Sequence, residues 1–152
     1  MYSSALMAFL HHLAAFTLVG SFAAEMVMFK PPLTVQQAIR VRVADNIFGI
    51  AAGVLLIVGL LRVEYFEKGP GYYFHNGFFL AKFALFIITA LISIYPTILF
   101  LSWSKELKQG QAPVIPPEKV RRARMCMMCE WAGILGIVFC APFMARGLSL
   151  LQ

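Results

Sequence analysis

Apolar residues fall in four long runs, separated by three short polar segments. The first run, about Ser4 to Phe29, is long enough to cross a bilayer, which takes roughly 20 apolar residues. Lys30-Pro31-Pro32 follows it and stops the helix, because proline has no N–H to continue the ladder. Thr34-Val35-Gln36-Gln37 then has the form of a capping box, in which Thr34 caps the first free amides and Gln37 reaches back. A second helix is therefore expected from near Val35, carrying Arg40 and Arg42, with its crossing from about Ala44 to Tyr65. The linker from Glu67 to Gly77 is rich in turn residues, and its tyrosines suit a membrane interface. A third helix is predicted from about Phe78 to Ser104, with Pro96 inside it as a kink that frees the Ile92 carbonyl. The polar, proline-rich segment from Gln109 to Pro117 leads to a fourth helix, about Glu118 to Leu148, with Pro142 as a second kink.

Composition sharpens this pattern into a class. Of the 152 residues, 61% are hydrophobic and only 13% charged, about half the charged share of an ordinary soluble domain. The expected fold class is all-α, an integral membrane four-helix transmembrane bundle forming a single domain over residues 1–152. The first run is too long for a signal-peptide core and has no basic segment before it, so a cleaved signal is not expected. The net charge of +6 describes topology rather than a nucleic-acid partner, because the basic residues sit in short loops. Nine of the 13 basic residues lie in the first and third loops or the helix starts beside them. The positive-inside rule then predicts a bacterial inner membrane protein with those loops cytoplasmic and both termini periplasmic.

A weak internal repeat accompanies the pattern. Pro31-Pro32 and Pro116-Pro117 are followed at equal spacing by Ala38 and Ala123, then by Asp45 and Glu130. Each acid opens a stretch that closes on an arginine, Arg62 or Arg146. Helices two and four either are related by a pseudo-two-fold axis or share loop composition by coincidence.

The candidate chemistry lies in the ionisable residues at membrane depth, each costly enough there to be a functional hypothesis. His11 and His12 are adjacent inside an apolar helix. Arg62 and Glu64 close helix two at the same level, Lys82 opens helix three, Arg146 closes helix four, and His75 sits in the adjoining linker. Glu25, Asp45 and Glu130 make a second layer near the basic end. The bland reading of Arg62, Lys82 and Arg146 is snorkelling to headgroups, and of an intramembrane histidine a hydrogen bond between helices. The sharper reading is a haem b pocket. A histidine of a transmembrane helix is a usual axial ligand, and haem propionates want arginine or lysine at the same depth. On that reading His11 or His12 holds the iron. The two side chains differ by about 100° around the helix, so at most one points squarely at a given site. Gly49, Gly53, Gly59, Gly133 and Gly136 would let backbones approach or leave room for a flat ring.

Met125-Cys126-Met127-Met128-Cys129, with Cys140 further along nearly the same face, is soft enough for Cu(I), though packing explains buried Cys and Met as well. No disulfide framework is expected from three cysteines in one predicted helix.

The segments His11-His12-Leu13-Ala14-Ala15-Phe16, Pro31-Pro32-Leu33, Gly59-Leu60-Leu61-Arg62, Tyr73 to Lys82, and Met144-Ala145-Arg146-Gly147 resemble an uncharacterised family of small bacterial four-helix membrane proteins. A more distant similarity is to the HemJ family of membrane protoporphyrinogen oxidases, which pairs a helix-one histidine with a lysine at the start of helix three. His11 or His12 and Lys82 match those two features. The chain lacks the tryptophan-rich signature that follows the first histidine in HemJ, and adds His12, Arg62 and Arg146. The resemblance implies haem b, and on its HemJ-like version a catalytic Lys82 that stabilises an anionic porphyrin. The role expected is redox: electron transfer, or oxidation of a porphyrin or quinone. A copper or small-solute transporter, or an assembly subunit of a membrane complex, stay open beside it. A homo-oligomer is expected in each case.

Overall fold

The computed structural model describes residues 2–66, 69, 71, 73 and 75–146. Its elements are helices: α1 (Tyr2–Met28), α2 (Val35–Leu61) running into a π-helical turn (Arg62–Phe66), α3 (Gly77–Ser102), the short α4 (Ser104–Lys108) and α5 (Pro117–Ala145). No strand occurs among the described residues. Four segments, Tyr2–Met28, Val35–Phe66, Gly77–Lys108 and Pro117–Met144, are long and apolar enough to cross a membrane. The all-α, four-helix transmembrane bundle expected from the hydrophobic pattern is the fold found.

Local chemistry sets the helix ends. α1 stops before Lys30-Pro31-Pro32. At α2 the Thr34 hydroxyl accepts from the Gln37 amide at 3.2 Å, and the Gln37 side chain accepts from the Thr34 amide at 2.9 Å. Both halves of the capping box are therefore present. Asn76 caps α3 by accepting from the amides of Phe78 and Phe79. α5 begins at Pro117, where a missing N–H costs nothing.

Two boundaries differ from the sequence expectation. The third span does not run unbroken to Ser104. It ends at Ser102, and the chain turns at Trp103 into α4. Trp103 is buried, stacked on Phe29 at the end of α1 and tilted against Phe100, so tertiary packing sets the break. α2 does not end as a plain α-helix near Tyr65 but widens into the π-helical turn. At the far end of α5 the helix closes at Ala145, and the expected extension to Leu148 lies outside the described residues. Residues 67, 68, 70, 72 and 74 of the linker likewise lie outside them.

α1 packs along α2, and α3 along α5, giving two hairpins joined chiefly where α2 meets α3. The core seam is aromatic: Phe22 of α1 sits 5.1 Å from Phe48 of α2 and 5.9 Å from Trp131 of α5, centroid to centroid. Gly133 and Gly136 do permit close approach. A Cβ at Gly133 would collide with the Thr89 hydroxyl, and one at Gly136 would stand 3.0 Å from Leu85. Gly49 and Gly53 do not serve that way: both are exposed, with nothing within 4 Å of a built Cβ. Large apolar side chains such as Phe16, Ile50, Leu91 and Phe139 point outward. In a bilayer these form the lipid face. Several hydroxyls at membrane depth are satisfied within their own helix, as where Thr17 donates to Leu13 O and Ser21 to Thr17 O.

Candidate functional site

The end of the bundle carrying the N-terminus encloses a cavity of about 130 Å³. All four spans line it. α1 gives His11; α2 gives Leu55, Leu56 and Gly59; the π-helical turn gives Arg62 and Val63; α3 gives Phe79, Lys82, Phe83 and Phe86; α5 gives Ile137 and Met144. Tyr73 closes it from the linker. The lining is mostly hydrocarbon and aromatic ring, with three nitrogen-bearing side chains converging on it, the usual composition of a small-molecule site.

Helical spacing explains the convergence. Phe79, Lys82, Phe83 and Phe86 follow an i, i+3, i+4, i+7 pattern, which is one face of α3. Leu55, Leu56 and Gly59 continue one face of α2 toward Arg62 and Val63. The π-helical turn that continues α2 carries Arg62 and Val63, both of which line the cavity; such turns recur at functional sites.

His11 is half-buried, and its Nδ1 is buried with no hydrogen-bond partner. Its ring lies over Gly59, where a Cβ would stand 3.4 Å from Cε1 and 3.7 Å from Nδ1. Arg62 and Lys82 lie within electrostatic range of the ring. A buried imidazole nitrogen without a partner forfeits the hydration it had in water, a cost that a ligand on this ring would offset.

Three of the five site residues expected from sequence, His11, Arg62 and Lys82, thus come together. The other two lie elsewhere. His12 is exposed and does not line the cavity. Its ring sits 6.2 Å from that of His11 at an interplanar angle of 87°, and its Nδ1–H donates to Ala8 O at 2.6 Å. Arg146 is exposed at the C-cap of α5 and does not line the cavity; its backbone N–H donates to Pro142 O. His75 is also exposed, with its Nδ1–H donated to Gly71 O at 2.7 Å. Tyr73 and the α3 aromatics were not singled out from sequence, although the α3 spacing around Lys82 carried the signal.

The second polar layer is real and separate. Glu25, Asp45 and Glu130 are all buried, and Thr97 of α3 donates to Asp45 Oδ1 at 2.7 Å. The cysteines scatter: Cys126 is half-buried, Cys129 exposed and Cys140 buried. Among the described residues no three His, Cys, Asp or Glu side chains converge closely enough to hold a metal ion.

The chain is a multi-pass membrane protein with one apolar, cation-bearing cavity opening near one end of the bundle. It belongs to the family described as predicted membrane protein (DUF2214), whose model matches residues 3–149. No curated protein and no solved structure matches the chain.

Proposed function

We propose that the cavity binds haem b, whose iron His11 would hold and whose propionates would pair with Arg62 and Lys82. What supports this is one conjunction: the ring of His11, whose Nδ1 is buried without a partner, lines the same apolar chamber as two cations from two other spans. When bound, haem iron supplies one-electron redox chemistry. The chain's own residues do the rest. Gly59 leaves the His11 ring room to sit flat against α2. Phe79, Phe83 and Phe86 exclude water, which strengthens any ion pair formed by Arg62 and Lys82. Lys82, as a mobile point charge, and Arg62, as a planar fork, offer complementary grips on carboxylates.

The wider reading is a redox role in the bacterial inner membrane, as electron transfer or a HemJ-like oxidation of a porphyrin or quinone. In the HemJ-like version Lys82 steadies an anionic porphyrin while His11 holds the iron. The basic loops lie on the cytoplasmic side and both termini in the periplasm, and the chain assembles as a homo-oligomer. A quinone alone in the chamber is a second reading, favoured by size. At about 130 Å³ the cavity is below the 300–1,000 Å³ of most ligand pockets. A porphyrin would have to widen the open side of the cavity, whereas a single six-membered ring, which a cavity of about 150 Å³ holds, needs little more than the space present.

Purification of the full chain in mild detergent from haem-replete cells tests the proposal. A Soret band with stoichiometric iron is expected. A colourless protein that gains no Soret band on hemin addition would contradict it, and copper without iron would favour the metal-handling alternative.

A further inference from the structure

The carboxyl layer lies well away from the cavity. Glu25 is 14 residues beyond His11 on α1, about 21 Å along a helix rising ~1.5 Å per residue. Its level is fixed by the aromatic seam. Phe22 is one turn before Glu25 on the same face, Phe48 one turn after Asp45, and Trp131 directly follows Glu130. Because Phe22 packs on both Phe48 and Trp131, the three carboxyls are brought to one depth from α1, α2 and α5. They interact electrostatically with one another. α3 completes the ring with Thr97, whose hydroxyl is donated to Asp45.

Two of these acids are almost wholly enclosed: Glu25 and Glu130 are each 1% exposed, and Asp45 is 5% exposed. Glu25 Oε2 and Glu130 Oε1 are buried without any hydrogen-bond partner. Carboxylates only accept hydrogen bonds, so buried acids at one depth, two of them with an orphaned oxygen, lack the donors that their lone pairs require. Of the nearby charged groups, Arg42 acts electrostatically on Asp45, while Glu25 Oε2 and Glu130 Oε1 keep no partner. Arg42 lies one turn from Asp45 on α2, and its Nε is buried without a partner. On α5, Cys126 lies one turn before Glu130, while Arg122 is held over the Tyr95 ring of α3.

We propose that Glu25, Asp45 and Glu130 form a proton-binding site at the seam between the two hairpins. A proton added to one carboxyl oxygen makes it a donor to a neighbour's carboxylate, which satisfies the orphaned oxygens on both sides. The bond formed is O–H, and the proton comes from water at the basic end and returns there on release. Among the described residues no three acids converge as metal ligands do, whereas a proton needs only one carboxyl oxygen to bind. The site stands independently of haem in the cavity.

Infrared spectroscopy of the full chain in lipid nanodiscs tests it. At neutral pH the spectrum should contain the C=O stretch of protonated carboxyls, shifted in D₂O and lost at alkaline pH. The band should weaken in Glu25→Gln and in Glu130→Gln, and vanish in the double variant; glutamine mimics the neutral acid and preserves the fold. Absence of the band in the wild-type protein at neutral pH would overturn the proposal, as would its survival in the double variant. Its removal by sodium, potassium or calcium chloride at fixed pH would also overturn it, by showing a metal site. Should a variant fail to fold, wild-type protein treated with dicyclohexylcarbodiimide, which reacts with protonated carboxyls in apolar surroundings, gives a second readout by mass spectrometry. An adduct on Glu25, Asp45 or Glu130 is expected, and modification of none of them counts against the site.

Discussion

The imidazole of His11 lies directly over Gly59, so that a Cβ placed on that glycine would stand 3.4 Å from His11 Cε1. Helix α2 thereby sets how deeply the ring enters the cavity. A methyl group at this distance makes ordinary van der Waals contact with the ring, whereas a large branched side chain must displace it. We therefore expect Gly59→Ala to leave hemin binding within about threefold of the wild type, or ~0.6 kcal/mol, and Gly59→Leu to abolish saturable binding. A hemin titration of both variants, with helical circular dichroism as the control for folding, checks this.

The two histidines should separate cleanly. His12 is turned outward and donates its Nδ1–H to its own helix, so His12→Phe should keep the haem spectrum unchanged. A bleached His12→Phe protein would mean that the second imidazole reaches the iron, in this chain or in a neighbouring copy.

The cations divide in the same way. Lys82 lines the cavity, and replacing it with methionine keeps its length while removing the charge. A lost charge-assisted hydrogen bond is worth about 1.5–3 kcal/mol, so hemin affinity should fall by roughly ten- to a hundred-fold in Lys82→Met. Arg146→Gln, at an exposed helix end, should leave the affinity within about fivefold, since exposed charges contribute ~0–1 kcal/mol. Equal losses in the two variants would point to diffuse surface attraction instead of a built site.

Close packing of α3 on α5 depends on Gly133. A Cβ there runs into the Thr89 hydroxyl, so Gly133→Ala should destabilise the hairpin by about 1–3 kcal/mol through overpacking. Thr89→Ala removes the colliding atoms, and the double variant should recover most of the loss. Thermal unfolding in detergent measures both steps.

Much of this arrangement was legible in the chain, because it rests on strong local signals. Bilayer-length apolar runs fixed the four spans, and Thr34 with Gln37 fixed the start of α2. Arg62 and Lys82 could be placed at one depth by counting residues along helices of known rise. What local signals cannot carry is rotation about the helix axis. His11 and His12 differ by about 100°, and only packing against Gly59 decides which of them faces inward. The same holds for Gly49 and Gly53, which look like an interface motif yet face outward. The end of α3 at Trp103 and the π-helical turn at Arg62 depend on partners distant in sequence, among them Phe29 for the tryptophan and Ser4, whose hydroxyl donates to Phe66 O at 3.4 Å.

The most direct test of the account is a hemin titration of the full-length wild-type protein beside His11→Ala, repeated with free imidazole in the buffer. The account predicts saturable binding with a Soret band in the wild type, loss of that band in His11→Ala, and its partial return when imidazole takes the vacated position. An His11→Ala protein that binds hemin with the affinity and spectrum of the wild type would contradict it.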